Sequence, residues 1–85
     1  MKNLKILTIV VKDRIKEAGR TQRLLTEYAH IIKSRLGFHE VSSEICSRVG
    51  VIILQISGNP SDWNIFIEKL SQIGGIEFKS MEFDI

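Results

Sequence analysis

Apolar residues are distributed along this chain in two ways. Over residues 4–11 and again over 49–56 they occupy odd and even positions alike, whereas the intervening stretches alternate or recur every three to four residues. Val, Ile and Thr favour a pleated backbone, and a strand that is apolar on both sides is normally covered on both sides, so each run predicts a central strand. Between them, Ile15, Ala18, Thr21, Leu25 and Tyr28 recur at helical spacing, with Leu24 and Ala29 widening the stripe and Lys16, Arg20, Arg23 and Glu27 opposite. Asp13 is placed to cap this helix. Gly19 inside it costs about 1 kcal/mol relative to Ala, which predicts a close backbone approach there. Beyond Tyr28 the helical period through Ile32 and Leu36 competes with strand alternation at Ile32, Ser34, Leu36 and Phe38. The strand reading gives the first run a partner, so the expectation is a helix over 14–29 and a strand over 31–38.

Residues 40–47 are polar and read as a connection to the third strand. The segment Ser57-Gly58-Asn59-Pro60-Ser61-Asp62 is a helix start, with Asn59 at the cap, Pro60 where its missing amide is harmless, and Asp62 in the first turn. Trp63, Phe66, Ile67, Leu70 and Ile73 form the stripe of this second helix, and Gly74-Gly75 closes it. In the last segment the alternation shifts from Ile76 and Phe78 to Met81, Phe83 and Ile85, which predicts a β-bulge near Lys79-Ser80.

The order β-α-β-β-α-β over residues 1–85 describes a single α+β domain. The expected fold is ferredoxin-like, an antiparallel four-stranded sheet with two helices on one face, strands one and three central and strands two and four at the edges. Two helices cover one face of such a sheet. The other would leave roughly six large apolar side chains wet, and about 10 kcal/mol favours covering them. A homodimer or homotetramer joined through sheet faces or edges is therefore expected, with Ile6, Thr8, Val10, Val51 and Ile53 as the interface residues.

Composition adds little to that picture. With 44% apolar and 26% charged residues in 85, the chain is that of a folded domain, one short enough to gain from assembly. No run is long enough to span a membrane, no leader pattern is evident, and Cys46 is the lone cysteine, so a cytoplasmic location is expected. The formal charge is +2, but residues 12–35 hold seven basic against three acidic side chains, and residues 36–85 hold three against seven. The basic helix reads as a solvated face or a docking surface for an acidic partner, and direct binding of nucleic acid is not expected. No Ser-His-Asp set, phosphate loop or Cys-x-x-Cys occurs, so the chain is not expected to be an enzyme.

Four stretches resemble a known group: the opening Ile6-Leu7-Thr8-Ile9-Val10-Val11-Lys12-Asp13-Arg14, the segment Arg35-Leu36-Gly37-Phe38, the run from Val51 to Ile56, and Leu70-Ser71-Gln72-Ile73-Gly74-Gly75-Ile76. They look like the iron-only hydrogenase system regulators, small ACT-like proteins. The resemblance implies a ferredoxin-like fold, an oligomer, and a regulatory rather than catalytic role with a small-molecule or protein partner. ACT domains bind amino acids at the turn after the first strand, often with an Asp-Arg-Pro-Gly motif. Asp13 and Arg14 match it, Ile15 and Lys16 replace its last two residues, and the implied ligand site is this quartet. A helix N-terminus there could also hold a small carboxylate or phosphate. A wider relative, the C-terminal domain of nickel-responsive regulators, implies His30, His39 and Cys46 as candidate ligands of a transition metal such as nickel, zinc or copper. Gly37 stands where that family has a companion histidine. Read from the residues alone, His30 ends a helix, His39 lies in a loop and Cys46 packs as a small hydrophobe, so no cofactor is expected.

Overall fold

The computed structural model describes residues 3–41 and 46–84, without the side chains at 3, 14, 18, 38–41 and 46–48. In chain order the elements are β1 (Asn3–Val11), α1 (Arg14–Glu27), a 3₁₀ turn (Ala29–Ile31), β2 (Ile32–Val41), β3 (Cys46–Ile56), α2 (Pro60–Ser71) and β4 (Ile76–Asp84). The strands form one antiparallel sheet in the order β2-β3-β1-β4, so the two runs apolar at every position are the central strands and the fold is ferredoxin-like.

Leu7, Ile9 and Val11 of β1 and Ile52, Leu54 and Ile56 of β3 are buried beneath the helices. Trp63, Phe66 and Leu70 of α2 and Leu24 and Leu25 of α1 close over them. Asn59 caps α2 by accepting from the Ser61 amide at 3.0 Å, Pro60 opens it, and the indole N–H of Trp63 donates to the Ser57 carbonyl at 2.9 Å. The sharp turn after α2 falls at Gly75, whose φ of 78° suits a residue without a Cβ.

Five details depart from the sequence expectations. First, α1 ends at Glu27, and the 3₁₀ turn carries the chain into β2. Second, β2 runs to Val41 and β3 begins at Cys46, so strand pairing takes over most of the expected connection; the rest of it, 42–45, lies outside the described residues. Third, no bulge interrupts β4. It pairs with β1 without a break from Asn3↔Asp84 to Val11↔Ile76. The change of apolar phase is instead a change of face: Ile76 and Phe78 point to the helices, and Met81 and Phe83 to the other side. The sheet's register shifts lie in β2, between Ile32 and Ser34 and between His39 and Val41.

Fourth, the buried stripe of α1 includes Glu17, while Ile15, about 200° around the helix from it, is 73% exposed. Glu17 pairs with Arg20, and the Thr21 hydroxyl donates to its carbonyl at 3.0 Å. A carboxylate so paired can occupy a position that pattern reading reserves for an apolar residue. Fifth, a Cβ added at Gly19 would meet nothing within 4 Å, so no close approach explains it.

Candidate functional site

Asp13 leaves β1 as the N-cap of α1. Its Oδ1 accepts from the Lys16 amide at 3.3 Å, and its carbonyl accepts from the amides of Lys16 and Glu17. The incoming chain is held by the Lys12 amide, which donates to the Gly75 carbonyl at 2.8 Å. Of the quartet named from sequence, Asp13 is half-buried, Ile15 and Lys16 are exposed, and the Arg14 side chain lies outside the described residues. An amide that a bound anion would seek at this turn is thus already met by the protein's own carboxylate.

His30 sits in the 3₁₀ turn, exposed, with its ring stacked on Tyr28 at 5.8 Å. The backbones of His39, paired with Gly50, and Cys46, paired with Val41, lie at the opposite end of β2. Their side chains are outside the described residues. The fold therefore brings His39 and Cys46 near one another in register and keeps His30 a strand's length away. Among the described residues no group of three metal-ligating side chains occurs.

One cation of α1 is paired with an acid of its own helix, and contacts from β2 and α2 meet the same side. Arg20 pairs with Glu17, Arg35 donates to Gln22, and Lys69 of α2 lies 3.8 Å from Glu27 and 5.3 Å from the centre of the Tyr28 ring. A hydrogen bond with Tyr28 and then the charge of Glu27 hold the Lys69 ammonium above its ordinary 10.5. Arg20, Arg23, Glu27, Lys69 and Gln72 rim a shallow groove of about 290 Å³ between the helices.

A larger depression lies on the opposite side of the molecule. Strand alternation turns Ile6, Thr8 and Val10 of β1 and Val51, Ile53 and Gln55 of β3 away from the helices, and register adds Leu36 from β2 and Glu77, Lys79, Met81 and Phe83 from β4. Leu36 is 60% exposed, Met81 59% and Phe83 46%, so large apolar side chains collect on a face that no element among the described residues covers. Along β1 and β4 this face forms a depression of about 550 Å³, lined by Ile6, Thr8, Val10, Glu77, Lys79 and Met81 among others. All five residues named from sequence as an interface are on it. Sequence reading missed the contribution of β4, because the phase shift after Phe78 read as a bulge.

A four-stranded antiparallel sheet with both helices on one face and an apolar open face opposite defines a small ferredoxin-like α+β domain. A family model, TM1266-like, described as "Iron-only hydrogenase system regulator, putative", matches residues 3–80, and the chain belongs to that family. Among solved structures it is similar to the uncharacterized protein TM1266 from Thermotoga maritima, at 28% identity and a TM-score of 0.82 over 99% of this chain and 100% of that one. No curated protein matches.

Proposed function

We propose that this chain is a small non-catalytic regulatory module of the iron-only hydrogenase system, acting as a homo-oligomer and through a small-molecule or protein partner. The family description supports the regulatory role. The observation that carries the mode of action is the uncovered sheet face, where Leu36, Met81, Phe83 and their neighbours lie exposed. An apolar patch of this kind marks an association surface. The Asp13 cap favours a protein surface over a small anion as the partner of the turn at 13–16, because the Lys16 amide is engaged within the chain.

The test is removal of the gene from a hydrogenase-producing host, with hydrogenase transcript and activity measured before and after complementation. A reproducible change restored by the wild-type gene is expected, and unchanged levels of both overturn the reading. A thermal-shift screen of the purified chain against amino acids, nucleotides, Ni²⁺ and Zn²⁺ separates the two kinds of partner. A ligand at 100 times its Kd stabilises the fold by about 2.7 kcal/mol.

A further inference from the structure

Glu77 and Lys79 are the two charged side chains, among the described residues, on the part of the open face formed by β1, β3 and β4. They are neighbours on β4, opposite Val10 and Thr8 respectively. Neither has a hydrogen-bond or ion-pair partner among the described residues. Two opposite charges fixed one step apart on an apolar face form a self-complementary pair, and an interface between identical surfaces selects for that property.

We propose that two copies stack open face to open face about a two-fold axis running across the strands, along the row Gly37, Ile52, Ile9 and Phe78, so that Glu77 of each copy meets the partner's Lys79. This rests on the homo-oligomer reading above and specifies its geometry. The four residues form one continuous row of the register. A half-turn about that row lays each strand antiparallel over its own counterpart and exchanges the positions one step to either side. Val51 then lies over the partner's Ile53, Thr8 over the partner's Val10, and Glu77 over the partner's Lys79.

Moving the axis by one row in either direction sets Lys79 over its own copy, or Glu77 over its own copy, and like charges face to face are destabilising. An axis parallel to the strands would place the charges of β4 over β2 near the partner's Leu36, leaving them unpaired on desolvation. Aligned sheets stack about 10 Å apart with strands within about 30° of each other, a geometry in which side chains of the two inner faces interdigitate. Four strands about 4.8 Å apart, each about nine residues long at about 3.3 Å, give a face of roughly 19 by 30 Å, near the lower end of what a stable dimer buries per partner. The depression lined by Ile6, Thr8 and Met81 is the space into which the partner's side chains fit.

The experiment is native mass spectrometry and light scattering at micromolar concentration on the wild type, Glu77→Lys, Lys79→Glu, the double exchange, and an equimolar mixture of the two single variants. The wild type is expected to be oligomeric, each single variant to lose at least tenfold in association, and the double exchange to recover. In the mixture, lysines at 77 and 79 of one variant face glutamates at 79 and 77 of the other, so heteromers are expected to form where neither variant self-associates. An oligomeric wild type with single variants that associate normally, or with a mixture that forms no heteromer, overturns this stacking and leaves the oligomer reading standing. A monomeric wild type overturns both.

Discussion

Gly75 packs against Glu17 closely enough that a Cβ on the glycine would lie 3.1 Å from the glutamate Cγ. The turn from α2 into β4 therefore fits over the first turn of α1 because one of the two residues has no side chain, and the positive φ at Gly75 adds a second reason. Gly75→Ala is expected to destabilise the fold by about 1–3 kcal/mol, through left-handed strain and displacement of Glu17. Urea unfolding with an unchanged m-value checks it.

Gly19 is the opposite case. Nothing stands within 4 Å of its missing Cβ, and it lies inside α1 on an exposed face. Gly19→Ala is expected to stabilise the domain by about 0.5–1 kcal/mol, raising Tm by about 2–8 °C in a domain of this size. A Tm at or below that of the wild type in a thermal scan would overturn this and show that the glycine is needed by the fold itself.

Ile53 and Leu54 are adjacent on β3 and face opposite sides of the sheet, Leu54 fully buried against the helices and Ile53 on the open face. Leu54→Ala is expected to cost about 2–5 kcal/mol at any protein concentration. The cost of Ile53→Ala is expected to grow with protein concentration, because it acts through association. Unfolding curves across a hundredfold concentration range distinguish the two.

Lys69 is held above its ordinary 10.5 by the Tyr28 hydroxyl and the Glu27 carboxylate. A raised folded-state value means that the contribution is fully present below about pH 10.5 and fades as the pH climbs through the higher folded value. Nuclear magnetic resonance titration of the Lys69 ε-methylene should show a midpoint above that of an ordinary lysine, and Glu27→Gln should lower it. The side chain is exposed, so the effect on stability is expected to be slight.

What could be read in advance followed from periods that one physical cause determines. Runs apolar at both parities marked β1 and β3 as central, and the Asn59-Pro60 start with the Trp63, Phe66 and Leu70 stripe placed α2 correctly. Reading failed where two causes give the same pattern. A shift of apolar phase in β4 suits a bulge or a strand with two working faces, and pairing with β1 settled it as the second. Likewise, a helix stripe drawn through apolar residues passed over Glu17, because a carboxylate can be buried once Arg20 pairs with it. The 13–16 turn was legible as a cap. Its engagement of the Lys16 amide, which bears on what could bind there, needed coordinates.

The two edges of the sheet are guarded by different means. Edge β2 is broken by register shifts near both its ends, so its outer ladder is irregular in shape. Edge β4 pairs without interruption over nine residues and offers a regular ladder, defended by the charges of Glu82 and Asp84 on its helix side. Shape is hard to lose by a single change, but charge is not. Neutral substitutions along β4 are therefore expected to leave the fold intact while turning its rim into a template on which chains could add edge to edge, through side chains that contribute nothing to its core.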